Sequence, residues 1–325
     1  MAPELSVVIL SYNNFIETTG PCLESLGQVQ DPDLEIIVVD NNSDVSTCRA
    51  LVETAERDGR IKLILNKKNR GYAGGNNDGV AAASSDLIVL LNSDTRVLKN
   101  SLSLLAATLR AATTPLVLGP VTNAAGTEQQ IFCDGDTVED ILLQGAAWSK
   151  NGCGSFFSTD KLTFFCVAMK RSTYLDFDGL DESFGVGFYE DADFCRRAFL
   201  RDVSLQVMEE AFVYHQGSAS FGREPEKVRQ LLKENRRRFR KKHGKCKEVH
   251  VRKKNLQILQ GYCDEATAVQ EFSSSLAFRF TNRIRRARAL MPNNYFKKIM
   301  YRSQLKQIKQ VAEGAGYRQE DGFIQ

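Results

Sequence analysis

The sequence predicts an α/β fold: a mostly parallel sheet flanked by helices, followed by a basic, mainly helical C-terminal extension. Three observations carry this reading. Four apolar runs open the chain, beginning 29, 27 and 26 residues apart, the spacing of successive β–α units. Each run is short and rich in Val and Ile, as suits strands buried on both faces. The charge is also split: residues 1–216 hold 17 basic and 30 acidic side chains (net −13), and residues 217–325 hold 26 and 10 (net +16), although the 325-residue chain sums to +3.

In chain order, Leu5–Leu10 is the first expected strand, followed by a helix with Pro21 in its first turn and Leu23 and Leu26 facing inward. Leu34–Val39, Ile61–Leu65 and Leu87–Leu91 are the next three strands, and Thr163–Met169 another. Glu190–Leu200 has helical spacing, with Phe194, Cys195, Ala198 and Phe199 on the inner side. The apolar run Ala211–Tyr214 brings His215 to the end of a further segment. Past Phe221 the chain turns basic. Glu226–Lys242 is helical in pattern and includes the block Arg236–Lys242, and Arg283–Lys309 contains no acid.

A hydrophobic content of 42 % and a charged content of 26 % exclude a mainly disordered or multi-pass membrane chain. No apolar run reaches bilayer-spanning length. The N-terminus lacks the basic start and apolar core of a signal peptide, so a cytoplasmic protein is expected. Eight cysteines without a Cys-x-x-Cys fit neither a disulfide framework nor a zinc site. Cys22, Cys48, Cys166 and Cys195 fall on apolar positions, as reduced core residues would.

The strand endings are polar: Ser11-Tyr12-Asn13-Asn14, Asp40-Asn41-Asn42-Ser43-Asp44, Asn66 leading to Asn69–Gly79, and Asn92-Ser93-Asp94-Thr95. In an open parallel sheet they share the edge where ligands bind. Each loop alone reads as turn and cap chemistry; four on one edge read as a site. Asp94 either caps a helix or holds Mg²⁺ or Mn²⁺ through oxygen. Glu190-Asp191 either complements a helix dipole or supplies a general base. His215 is a structural hydrogen-bonder or a metal ligand. Asn69–Gly79 lacks Gly-x-Gly-x-x-Gly and follows the third strand, which disfavours a dinucleotide fold; it reads as a loop able to approach phosphate.

Taken in order, Ser11-Tyr12-Asn13, Asp40–Ser43, Asn69-x-Gly71-x-Ala73-Gly74-Gly75-x-Asn77, Asn92-Ser93-Asp94, Glu190-Asp191 and His215 resemble the family 2 inverting glycosyltransferases, closest to a rhamnosyltransferase-like branch. The resemblance spans residues 4–222. It implies a GT-A domain over 1–222, with a nucleotide-sugar half (1–120) and an acceptor and base half (121–222), followed by the basic region 223–325. It implies that Ser11, Tyr12, Asn13 and Asp40 contact base and ribose, and that Asn69, Gly71, Gly74, Gly75 and Asn77 lie along the nucleotide and diphosphate, with Asn92 and Ser93 beside them. Asp94 becomes the carboxylate of an Asp-x-Asp metal motif whose first position here is Asn92. His215 becomes a further ligand of Mn²⁺ or Mg²⁺, and Asp191 the base with Glu190 beside it. The implied donor is a nucleoside-diphosphate sugar, UDP- or dTDP-linked, and the acceptor a glycan or lipid-linked glycan. A nucleotidyltransferase acting on sugar phosphates is the alternative enzyme class. For the basic region, the apolar residues Ile284, Leu290, Met291, Tyr295, Phe296, Ile299, Met300 and Tyr301 among its charges suit a helix on the inner face of an anionic membrane. Tertiary packing is the other reading, and nucleic-acid binding lacks a recognisable motif.

Overall fold

The structure, a computed structural model, describes residues 3–152, 154–217, 225–246 and 249–318. The boundary expected at 222 falls outside these residues. The chain begins with β1 (Leu5–Ser11), α1 (Thr19–Gly27), β2 (Leu34–Asp40), α2 (Val45–Arg57), β3 (Ile61–Leu65), α3 (Gly71–Ala82) and β4 (Leu87–Asn92). Then come β5 (Thr95–Val97), α4 (Ser101–Ala111), β6 (Leu116–Val121), α5 (Val138–Lys150), β7 (Phe156–Ser158) and β8 (Cys166–Lys170). The short α6 (Arg171–Asp176) leads to α7 (Glu190–Phe199) and the long β9 (Ser204–His215). Four helices follow: α8 (Pro225–His243), α9 (Val251–Val269), α10 (Ser274–Ala289) and α11 (Tyr295–Gly314).

The strands form one sheet in the order β3-β2-β1-β4-β8-β6-β9-β5, with β7 also on β9. The four expected strands are parallel, β2 lying between β1 and β3, and β1 pairing also with β4. The chain then departs from a doubly wound pattern, because β8 inserts antiparallel between β4 and β6. Alternating residues face two cores. Leu5, Val7 and Ile9 of β1 meet Cys22 and Leu26 of α1 and Leu102, Leu105 and Leu109 of α4. Val8 meets Val80 of α3, and the same second core includes Trp148, Phe194 and Ala198. Burial on both sides explains the continuous apolar runs.

Four details differ from expectation. The Gly-rich segment is the helix α3, not a loop: a Cβ on Gly75 would stand 2.1 Å from Leu10, and one on Gly79 2.3 Å from Val8. These glycines let the helix lie close on β1. Phe199 is exposed at 54 %, its ring covered by the Arg196 guanidinium rather than by the core. Cys48 is half-buried, beside Asp40, whereas Cys22, Cys166 and Cys195 are buried free thiols. The basic stretch 283–309 is two helices, since Pro292 interrupts it and Asn294 caps α11 through the Lys297 N–H.

The C-terminal helices pack rather than extend. Ile284 and Tyr301 join Leu259, Phe280 and Leu305 in a core of their own. A buried ionic cluster fastens this core to the sheet. The Glu209 carboxylate of β9 accepts from Tyr262 Oη at 2.6 and 2.7 Å and from Arg283 Nη2 at 2.8 Å, with Arg279 at 3.5 Å. Trp148 lies beneath both guanidiniums, at 4.8 and 5.6 Å. Among the described residues no helix is long and apolar enough to cross a membrane.

Candidate active site

At the edge where β1, β2 and β4 end, several polar residues bond to one another. Asn13, in the left-handed region at φ 54°, offers its N–H to Ser43 Oγ and its Oδ1 to the Asp44 N–H, joining two loops. Asn41 Nδ2 donates to Asn69 Oδ1 at 2.9 Å, and Asn69 Oδ1 also receives the Gly71 N–H, so these residues set the entry to α3. Ser11 is fully buried against Thr19. Asn77 joins α3 to the segment around α6: Nδ2 donates to Leu180 O, and Oδ1 receives Tyr174 Oη at 2.6 Å. Gly71 has φ +72°, and a Cβ there would stand 2.0 Å from Gly185 O, while Gly74 faces Arg70 and Glu182. The geometry thus gives Ser11, Asn77, Gly71, Gly74 and Gly75 packing roles.

Other members carry unused capacity. Asp40 is 1 % exposed; Oδ2 accepts from the Ser43 N–H, but Oδ1 has no partner. Asn92 Oδ1 is likewise buried and unpaired. Buried acceptors without donors are costly, so both mark positions where a ligand could complete the bonding. Tyr12 is exposed at the same edge, and Ser93 is half-buried in the following turn.

Asp94 and His215 meet through sheet pairing. Antiparallel β5 and β9 set Thr95 opposite His215, and His215 Nε2 comes 3.5 Å from Asp94 Oδ1. His215 Nδ1 lies 2.8 Å from Ala124 O, and the ring stacks on Phe165 with centroids 5.2 Å apart. Donation from Nδ1 to that carbonyl would leave the Nε2 lone pair facing Asp94. Burial opposes charging of the ring, but Asp94 and the Ala124 carbonyl outweigh it and raise its pKa above the ordinary value. The donor set, one carboxylate and one imidazole, fits a divalent cation with open positions. Among the described residues, no three His, Cys, Asp or Glu gather to close such a site.

Glu190 and Asp191 start α7, where the helix dipole favours acids. Phe188 and Tyr189, immediately before them, both have positive φ, at 71° and 79°, a conformation costing about 1–3 kcal/mol per residue. Asn235 of α8 braces this turn: its Nδ2 lies 2.7, 2.9 and 3.0 Å from the carbonyls of Phe184, Gly187 and Phe188. Phe239 packs on Tyr189, and Lys242 and His243 hold buried Asp193 at 2.8 and 2.6 Å. Lys242 also pairs with Asp181, whose pKa falls to about 2 because the ammonium and the Ser183 contacts outweigh burial. Phe239 and Lys242 belong to the basic block read from the sequence, but such a run does not reveal which members face inward, and nothing in it points to Asn235 or His243. Asn235→Leu, close in volume but without the donor, should cost about 1–3 kcal/mol and lower kcat by about tenfold or more with little change in donor KM; steady-state kinetics and urea melts check both.

The two acids differ. Glu190 is buried with Oε2 unpaired; burial and then the neighbouring Asp191 charge raise its pKa to about 8. Asp191 is only half-buried and accepts the Ala192 N–H at 2.6 Å. Folded Glu190 keeps its proton to about pH 8, against an ordinary value of 4.5. The folded state therefore binds more protons in that window, and stability declines as pH rises through it. Glu190→Gln should melt like the wild type below the lower value. Its Tm advantage should grow toward pH 8 and then level off in melts across pH. The Tyr72 hydroxyl donates to Phe164 O at 2.7 Å; burial first, and then the charges of Glu190, Asp191 and Asp94, raise its pKa.

A family model described as Glycosyl transferase family 2 matches residues 6–132, from β1 to just past β6. No curated protein matches the sequence. Among solved structures, GalNAc-T7 with UDP, GalNAc and Mn²⁺ superposes with a TM-score of 0.54 at 14 % identity, over 66 % of this chain and 44 % of that one. The chain thus spans less than half of the GalNAc-T7 chain. The mannosyltransferase PcManGT from Pyrobaculum calidifontis, in complex with GDP-Man and Mn²⁺, gives 0.51 at 14 % identity, over 97 % and 74 %. At such identity the likeness concerns the fold. Residues 6–132 thus match the family 2 glycosyltransferase model, and the chain shares the GT-A fold of these two structures.

Proposed function

We propose that the protein transfers a sugar, with inversion, from a nucleoside-diphosphate sugar to an acceptor hydroxyl, and that Mn²⁺ or Mg²⁺ assists it. The observation that carries this reading is the Asp94–His215 pair, 3.5 Å apart, beside the stretch 6–132 that matches the family model. The donor is a UDP- or dTDP-linked hexose or deoxyhexose, in keeping with the rhamnosyltransferase-like resemblance, and the acceptor a glycan or lipid-linked glycan. Nucleotide and Mn²⁺ in the GalNAc-T7 and PcManGT complexes support the donor class and the metal.

Asp40 Oδ1 and Tyr12 meet the base and ribose, filling the vacant acceptor and the exposed ring face. Asp94 and His215 Nε2 would hold the cation. When bound, it offsets charge developing on the leaving diphosphate. Asp191, half-buried at a helix N-terminus, takes the proton from the acceptor hydroxyl as its oxygen attacks the anomeric carbon in line. Glu190, neutral near pH 7, keeps a second negative charge away from Asp191 and can donate a hydrogen bond. The supporting experiment is a thermal-shift titration with UDP and Mn²⁺ together. Wild type should gain several degrees, and Asp94→Ala should lose most of that gain; an undiminished gain would remove Asp94 from the metal site.

A further inference from the structure

We propose that the first two turns of α11, with the cationic cleft beside them, seat the protein on an anionic lipid bilayer. The inference is independent of the donor chemistry. Helix α11 has two apolar faces. Tyr301, Leu305, Ile308 and Ala312 pack into the C-terminal core. Tyr295, Phe296, Ile299 and Met300 fall on the opposite side at 3.6 residues per turn, exposed at 70, 75, 49 and 66 %. Nothing in the C-terminal core requires these four, and together they form one exposed apolar stripe.

The charge around the stripe selects its occupant. Lys298, Arg302, Lys306 and Lys309 run along the helix between the two faces. With Arg288 they line a cleft of about 490 Å³ between α10 and α11, floored by Ile284, Met291 and Leu305 and, among the described residues, without an acidic one. A second copy docking face to face would bring like charges together. A bilayer with anionic headgroups satisfies both features, because headgroup phosphates enter the cleft while the aromatic and aliphatic side chains enter the interface. The stripe holds fewer residues than the apolar set named from the sequence, because Ile284 and Tyr301 are used internally.

The test uses the full chain and phosphatidylcholine vesicles with or without phosphatidylglycerol. Sedimentation should show binding at least about tenfold tighter to the anionic vesicles, weakened by salt. The triple variant Lys298→Glu, Arg302→Glu, Lys306→Glu should lose about tenfold or more, with an unchanged melting curve as the control for folding. Phe296→Trp supplies a direct reporter of insertion, since the chain's single tryptophan, Trp148, is fully buried. Its emission should shift to the blue on anionic vesicles. Equal binding to neutral vesicles, an unmoved Phe296→Trp emission on bound protein, or tighter binding to a DNA duplex than to anionic vesicles would each overturn the proposal.

Discussion

Asp191→Asn should lower kcat for sugar transfer by about a thousandfold, within the range that general-base catalysis contributes, while binding of UDP with Mn²⁺ survives. The amide is nearly isosteric and its Oδ1 can still accept the Ala192 N–H, so the start of α7 keeps its shape. What disappears is the carboxylate basicity that the proposed role of Asp191 requires. The check is nucleoside diphosphate release measured beside a donor-binding titration. Turnover near the wild-type rate would move the base elsewhere, and a variant that also failed to bind donor would point to a collapsed site.

The largest effect on stability is expected from Glu209→Ala. Glu209 is 1 % exposed and is the carboxylate placed against two guanidiniums, Arg279 and Arg283, that are themselves fully buried. Removing one side of a buried charge cluster costs about 3–5 kcal/mol, and Tyr262 Oη would lose its acceptor as well. In a chain of this size that should lower Tm by roughly 5–15 °C and open the junction between α9, α10 and β9 to limited proteolysis. Calorimetry and a protease time course read the two consequences separately. A loss below about 1 kcal/mol, typical of an exposed pair, would show that the cluster does not fasten the C-terminal helices.

The first four strands were legible because burial on both faces leaves a signature in adjacent residues. The glycine segment was misread because the same composition serves a phosphate loop or a helix pressed against a sheet; only the positions of Leu10 and Val8 decide between them. The strand expected over Thr163–Met169 forms over Cys166–Lys170, but its antiparallel insertion is not legible, since local patterning carries no pairing direction. His215 could be seen as a strand end, yet its approach to Asp94 depends on β5 meeting β9 across more than a hundred residues of chain. The basic C-terminal region was the least legible. Net charge gave no sign that Arg279 and Arg283 are interior, that Lys242 is engaged with Asp193 and Asp181, or that Asn235 braces the turn before Glu190. Phe199 fits the helical spacing of an inward residue and still faces out, covered by its own neighbour Arg196.

The most direct measurement of the proposed chemistry is a ³¹P NMR time course of the protein with Mg²⁺, a mixed glycan acceptor pool and UDP- or dTDP-sugars in turn. The expected result is conversion of at least one donor to its nucleoside diphosphate, seen as the paired resonances of a free diphosphate ester, with loss of that signal in Asp191→Asn. Appearance of inorganic pyrophosphate instead would identify nucleotidyl transfer, and no conversion of any donor would contradict the assignment of this site to glycosyl transfer.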